Sequence, residues 1–393
     1  MTVIRFTMPV VASRSGIAIL MDSLEVAGMR LKLSRPGAQG RSLKAWDAAD
    51  EQLIERARAA AGTGGRVAVV DDNFGALTLA LSDLMPVTLA DSATLDAALA
   101  VSGGINGIAP MAAYSWLEPP DAKFDLVVMR IPRQADYLEY LLRWANDRLS
   151  DGGRLLAGGM IKHLPSHSVR VFEKLVVTDR VYPARKKARV VECLRGPSGL
   201  SGWGNRWQGY QEPTTGLKVQ ALPSVFARAH LDIGTRLLLP LVLAFARQLP
   251  AGAKVLDLAC GNGLLGLSAL SARPELEVVF SDVSSQAVAS VRRNLATNFP
   301  GRPAASYHCD GVPATNELYD LILLNPPFHE RGTVGDHIAL GLFDQASRSL
   351  RPGGRVLVVG NRHLGYHRSL GRWFGHLKQL QADARFVVFE AAR

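Results

Sequence analysis

The sequence predicts an α/β fold of two tandem, mostly parallel sheets that arose by duplication, with the first copy degenerate. Three observations lead there. Short apolar runs alternate with segments of helical period, which argues for strands covered on both faces by helices. The same landmarks occur in the same order in both halves of the chain. Those that would carry chemistry survive only in the second half. A length of 393 residues suits two cores rather than one, and 48% hydrophobic with 20% charged residues excludes a disordered chain.

In the second half, residues 254–258 form a short apolar strand candidate, and a small-residue turn follows at 259–263. Residues 264–272 carry helical spacing. Residues 277–282 read as a second strand ending on Asp282, and 284–298 as a helix capped by Ser284 or Ser285. Further strands are expected at 305–309, 319–324 and 355–360. In the first half, residues 66–72 match the first of these strands, and 87–91 match the second with its terminal acid. Residues 123–129 resemble 318–324. Leu149-Ser150-Asp151-Gly152-Gly153-Arg154 resembles Leu350-Arg351-Pro352-Gly353-Gly354-Arg355. The copies part where a ligand would sit. Asp72-Asn73-Phe74-Gly75 replaces the small-residue turn, and Arg130-Ile131-Pro132-Arg133 replaces Asn325-Pro326-Pro327-Phe328. The boundaries expected are 1–195 for a degenerate copy that recognises RNA, 196–216 for a linker and 217–393 for the catalytic copy. In the linker, Trp203, Arg206, Trp207 and Tyr210 stand among glycines. Such rings can stack on bases, but more often they pin a linker to a core. A strand at 217–222 then leads to Val225-Phe226-Ala227-Arg228 and an apolar helix beginning near Asp232 or Gly234.

Lys and Arg outnumber Asp and Glu by 45 to 35, and the net charge of +10 suits a phosphate-rich partner. Arg185, Lys186, Lys187 and Arg189 cluster and are the candidate RNA contacts. No apolar run reaches the roughly 18–20 residues of a membrane helix, so no membrane role is expected. Met1 to Pro9 lack the basic-then-apolar pattern of an export signal. Cys193, Cys260 and Cys309 are scattered, neither a disulfide framework nor a zinc cluster, and the expectation is a reducing cytoplasm. His363 and His367 lack a third ligand, so no metal site is expected.

The turn after the first strand runs Asp257-x-Ala259-x-Gly261-x-Gly263. Glycines there let a ligand approach the backbone and leave the next helix's free N–H groups facing it. An acid at the strand end welcomes a cationic sulfonium and amino group, and the longer glycine spacing that suits a pyrophosphate is missing. S-adenosyl-L-methionine is therefore the expected cofactor on this Rossmann-like unit. Asp282, about 20 residues on, is placed for ribose hydroxyls. Cys260, Asn262, Val283 and Asn325 complete the expected cofactor contacts, and Asp310, with Gly311 beside it, could reach the adenine amino group, although a turn residue there serves a structural role nearly as well.

Asn325-Pro326-Pro327-Phe328 follows an apolar strand, at the end where open α/β sheets hold ligands. An amine conjugated to a base ring is a poor nucleophile. The Asn325 side-chain oxygen and the Pro326 carbonyl can accept bonds from that NH₂ and aim its lone pair at a methyl group. Consecutive prolines hold the backbone rigid, and Phe328 can stack on the base. His329 is adjacent, but a lone loop histidine is more often solvated than catalytic. Phe226 and Arg228 either line the cofactor mouth or pack.

At these residues the chain resembles the class I methyltransferases that act on exocyclic amines. The duplicated layout is similar to the tandem-domain ribosomal RNA guanine-N2 methyltransferases of bacteria. Residues 158–164, 226–228 with 231–235, 360–364 and 385–391 resemble the large-subunit branch, the 23S rRNA (guanine-N2) methyltransferase G family. The resemblance implies N2 methylation of one guanine in 23S rRNA, on protein-free or partly assembled RNA; a monomer is the expected state. Ala259 departs from the family pattern at the first glycine of the loop. The tetrapeptide alone leaves open a small-subunit (16S) guanine, an adenine N6 amine or a glutamine amide. A non-catalytic RNA-binding assembly factor is a further alternative. A nicotinamide oxidoreductase is disfavoured by the loop spacing and the tetrapeptide.

Overall fold

The computed structural model describes residues 21–36, 44–62, 64–165, 167–327, 329–330, 333–334 and 337–393. Two seven-stranded sheets organise the chain. The first holds β1 (Val67–Val70), β2 (Val87–Leu89), β3 (Ala113–Tyr114), β4 (Phe124–Arg130), β5 (Leu149–Met160), β6 (Val177–Val181) and β7 (Ala188–Leu194). The second holds β8 (Lys254–Leu258), β9 (Glu277–Asp282), β10 (Ala305–His308), β11 (Tyr319–Leu324), β12 (Leu350–Asn361), β13 (His376–Ala382) and β14 (Phe386–Ala392). Their spatial orders are β3-β2-β1-β4-β5-β7-β6 and β10-β9-β8-β11-β12-β14-β13, the same path walked twice. Six strands of each sheet point the same way, and only β7 and β14, each next to an edge, run antiparallel to their neighbours.

The likeness extends to irregularities. The β4–β5 pairing slips between Phe124 and Leu126, and the β11–β12 pairing slips between Tyr319 and Leu321. The paired glycines of the two repeats explain the slip. A Cβ on Gly153 would lie 2.9 Å from the Phe124 carbonyl oxygen, and one on Gly354 would lie 2.8 Å from that of Tyr319. Only glycine lets the strands meet there.

Both sheets are buried on both faces. Leu256, Ile322 and Val358 pack toward one side, and Val255, Leu321 and Leu357 toward the other. The edge strands β6 and β13 were not expected. β6 is exposed along its whole length and β13 mostly so, and neither shows the alternation of a half-buried strand. In each sheet the strand order reverses between the first and fourth strands, which opens a crevice beyond their C-terminal ends.

Register corrects one expected match. Leu89 pairs with Val70 as Ser281 pairs with Leu258, so Ala90 holds the place of Asp282. Asp91 lies one residue later. A one-residue step turns a side chain to the other face, and Asp91 faces the second domain.

Candidate functional site

Helix α1 (Ala48–Ala60) covers the first sheet. In the second domain, α2 (Ile233–Gln248), α3 (Leu264–Ala272) and α4 (Ser285–Asn298) surround the crevice. Asp232 caps α2 and Ser284 caps α4, each by accepting from the N–H three residues on.

The loop from β8 to α3 is shaped for close approach. Gly261 has φ +55°, and open space lies where its Cβ would project. Gly263 has φ +81°, and a Cβ there would meet Val291 at 2.9 Å. Ala259 takes φ +55°, a left-handed conformation that glycine holds without strain. Asp71 stands at the equivalent position of the first copy, with φ +60°. The Asp282 carboxylate accepts from Gly261 N at 2.8 Å and from Ser284 N at 2.9 Å. Burial raises its pKa to about 6, against the lowering effect of those two bonds. Each oxygen keeps a lone pair for a hydroxyl donor.

Other loop residues serve the frame. Asp257 is 1% exposed and accepts from Gly266 N at 2.8 Å, and burial pushes its pKa up to about 8. It underlies the start of α3. Cys260 turns into the apolar core, and burial lifts its thiol well above the usual range. Asn262 Nδ2 donates to the Ala227 carbonyl at 3.3 Å and approaches the Tyr210 hydroxyl at 3.5 Å. The Gly311 backbone is close to Gln345, whose Oε1 accepts from Val312 N at 2.8 Å. Asp310 is exposed beside it.

Asn325 follows β11 at the mouth of the crevice. Its Nδ2 donates to Thr235 Oγ1 at 2.9 Å and lies 3.4 Å from Asp232 Oδ2. Its Oδ1 is buried and has no hydrogen-bond partner among the described residues. Such an orphan acceptor is costly in a folded protein and marks a place for a donor. Pro326 is buried and Pro327 exposed. Phe328 lies outside the described residues, as does the side chain of His329. A separate cavity, lined by Phe245, Asp320, Pro352 and Arg355, sits at the opposite edge of the sheet, near the start of β11. No group of three His, Cys, Asp or Glu side chains among the described residues could hold a metal.

The first domain closes against this site. Asp91 accepts from Ser284 Oγ at 2.7 Å, Ser285 Oγ at 2.8 Å, Gln286 N at 2.9 Å and Ser224 Oγ at 3.1 Å. Ala93 N donates to the Val283 carbonyl and Ser285 N to the Asp91 carbonyl, both at 2.9 Å. His308 Nε2 lies 3.0 Å from both of those carbonyl oxygens. Both only accept, so Nε2 carries the hydrogen. Arg228 is buried and joins the domains, donating to Asp136, the Asn205 carbonyl and the Ala221 carbonyl. It packs rather than lining the mouth, whereas Phe226 is 58% exposed. The linker rings divide between the domains. Trp203 lies near Tyr140 and under Arg143, and Trp207 lies under Arg293.

The basic cluster is partly neutralised. Arg185 pairs with Glu55 at 2.6 Å and Lys186 with Glu51 at 2.7 Å, both acids being on α1. Lys187 and Arg189 form no ion pair among the described residues. Sequence reasoning missed Asp232, Thr235 and Asp91. The spacing Asp232-x-x-Thr235 ahead of an apolar helix is a cap signature that could have flagged the first two.

The strand order, the glycine loop with Asp282 beside it and the unpartnered Asn325 oxygen fit S-adenosylmethionine and an amine acceptor. Together they define a methyltransferase dependent on that cofactor. Residues 216–390 match the Methyltransferase small domain family, and residues 21–197 match the RLMG N-terminal domain family. The chain is 36% identical to the Ribosomal RNA large subunit methyltransferase G of Alcanivorax borkumensis, over 90% of this chain and 92% of that protein. It is 33% identical to the protein of the same name from Klebsiella pneumoniae, over 95% and 99%. A solved T. thermophilus 16S rRNA N2 methyltransferase, in complex with AdoMet and guanosine, superposes with a TM-score of 0.75. It is 26% identical, over 95% of this chain and 98% of that one. The chain belongs to the ribosomal RNA large subunit methyltransferase G family.

Proposed function

We propose that this enzyme methylates the exocyclic N2 of one guanine in 23S rRNA, with Asn325 Oδ1 and the Pro326 carbonyl gripping the amine. The observation that carries the reading is the orphan Asn325 oxygen at the end of β11. When bound, the cofactor supplies an electrophilic methyl group on a sulfonium. Asp282, the open face of the loop at Gly261 and the start of α3 are what would hold it. Asn325 accepts from the guanine NH₂, restricts its rotation and directs its lone pair, which is catalysis by positioning. An amide does not take up a proton at neutral pH, so Asn325 is no base, and the amine proton leaves to water. Loss of solvent around a neutral acceptor strengthens its bond to the substrate.

The substrate follows from the family. The large-subunit enzymes align over most of this chain at 33–36% identity. The first domain supplies RNA contacts, with Lys187 and Arg189 the cations whose charge is not offset. No described helix is long and apolar enough to cross a membrane, and the expected setting is the bacterial cytoplasm, on protein-free or partly assembled RNA. One observation favours a second reading, the small-subunit guanine: the superposed T. thermophilus enzyme carries that name. Methyl transfer from labelled S-adenosylmethionine to separated 23S and 16S rRNA, followed by nucleoside analysis, tests both. N2-methylguanosine is expected in 23S rRNA. Label confined to 16S rRNA would favour the second reading, and label on another nucleoside would overturn both.

A further inference from the structure

We propose that Asp232 and Thr235 are positioning residues that lock the Asn325 amide with its oxygen outward. This rests on the reading of Asn325 as the acceptor of the substrate amine. The terminal torsion of asparagine is broad and nearly two-fold, so an unrestrained amide samples both faces. With the NH₂ group outward, it would present donors to a substrate amine that also donates, and the grip would fail. Orientation therefore decides function at this residue.

Two contacts hold the amide, and the carboxylate sets its sense, because a hydroxyl can donate as well as accept. Asp232 caps α2, its Oδ2 accepting from Thr235 N at 2.9 Å. That same oxygen lies 3.4 Å from Asn325 Nδ2, and Thr235 Oγ1 accepts from Nδ2 at 2.9 Å. A carboxylate oxygen only accepts, so a flipped amide would set oxygen against oxygen. Thr235 is 8% exposed, which leaves little water to substitute for its hydroxyl. Donation toward a carboxylate also polarises the amide and makes Oδ1 a better acceptor.

The first copy carries an independent trace of the same scaffold. Asp47 caps α1 and Asp50 stands three residues on, as Asp232 and Thr235 do for α2. By strand register Arg130 occupies the position of Asn325. Arg130 NH1 and NH2 donate to Asp47 at 2.8 Å, and NH1 donates to Asp50 at 3.0 Å. A helix cap that reaches the residue after the fourth strand is thus built into both domains. In the second, the third residue is a neutral hydroxyl and the held group is an amide.

The test replaces Thr235 by valine and by serine in the full-length protein, with Asn325→Ala beside them. Transfer to 23S rRNA is measured together with S-adenosylhomocysteine binding by calorimetry and the thermal midpoint. T235V should lower kcat about 10- to 100-fold, the usual cost of removing an orienting partner, with ligand affinity within about threefold. T235S should restore kcat to within about threefold of wild type. Should T235V misfold, T235A is expected to show the same pattern. Full kcat in T235V beside an inactive N325A would overturn the clamp alone. A matching loss of ligand affinity, or no rescue by serine, would make Thr235 merely structural. Full kcat in N325A would instead overturn the reading of Asn325 itself.

Discussion

The ends of strands β4 and β11 share a scaffold and differ in what it holds. At β4, Arg130 is 9% exposed and turns its guanidinium inward onto two carboxylates. Burial works against its charge, but Asp50 and Asp47 outweigh it and hold its pKa above the usual range. Asp50 is pushed up to about 7, burial exceeding the opposing effect of Arg130. At β11, an uncharged amide is held by one face and leaves the other unpartnered. The first arrangement spends its polar groups on each other, whereas the second keeps one acceptor for something else. Strand order, bulge and glycine contacts persist in both copies because sheet packing dictates them. Side chains at the crevice answer to no such constraint, and there the copies diverged.

The sharpest way to break this contrast is to remove the held residue from each copy. Asn325→Ala should reduce transfer by about 10²- to 10³-fold or more, as loss of a preorganised polar group does elsewhere. Affinity for S-adenosylhomocysteine should stay within a few fold. Arg130→Ala should do the reverse. It strands the buried carboxyl of Asp50 and the partly exposed one of Asp47 and should cost about 3 kcal/mol in denaturant unfolding, the low end for a broken buried pair, with kcat of the folded fraction nearly unchanged. Equal losses of kcat in the two variants would mean that the first crevice also takes part in transfer.

The interface gives a smaller effect. Asp91 sits where the first copy shifted its acid by one residue, and it caps a helix that is not its own. Asp91→Ala should cost about 1–2 kcal/mol, the range for removal of a cap. It should also weaken S-adenosylhomocysteine binding several-fold, because Ser284, which Asp91 holds, donates from its N–H to Asp282. Calorimetry and thermal melts read the two effects separately. Destabilisation with unchanged affinity would reduce the first domain's contribution to packing alone.

Buried acids sharpen the comparison through pH. Asp72 and Asp257 occupy different positions, yet each accepts from an equivalent helix N–H, that of Thr78 or Gly266. Burial raises both pKa values, that of Asp257 to about 8. Between its unfolded value near 4 and about 8, the folded state holds a proton that the unfolded state has lost. Stability from this group therefore falls as pH rises through that window. Asp257→Asn keeps an acceptor for Gly266 N and removes the slope. Its thermal midpoint should gain on wild type from pH 5 to pH 8. Parallel curves would show that Asp257 is ionised in the folded protein.

How much of this was legible depends on range along the chain. The glycine loop, Asp282 and Asn325 are local patterns, and all three lie at the C-terminal end of the second sheet. The cap positions of α2 and α4 were also readable, since Asp232 and Ser284 precede apolar helices. What Asp232 and Thr235 hold was not, because Asn325 is about 90 residues away. The terminal acid of β2 was misplaced for a different reason. A strand of three residues carries too little pattern to fix register. Ala259 was readable as a departure, but its left-handed φ was not.

The smallest effect concerns charge, where the sequence grouped four cations as one patch. Folding separates them, because Glu51 and Glu55 of α1 already face Lys186 and Arg185. A paired cation has released its counterion advantage before RNA arrives, so its removal changes binding little. Each RNA phosphate left without its cation should flatten the dependence of log affinity on log salt by about 0.7–0.9. Lys187→Ala with Arg189→Ala should therefore lower the slope for 23S rRNA fragments by more than one. Arg185→Ala with Lys186→Ala should change it by less than half as much and leave two acids uncovered on α1. Equal slopes for the two double variants would mean that RNA displaces the α1 acids, and the four cations would then act together.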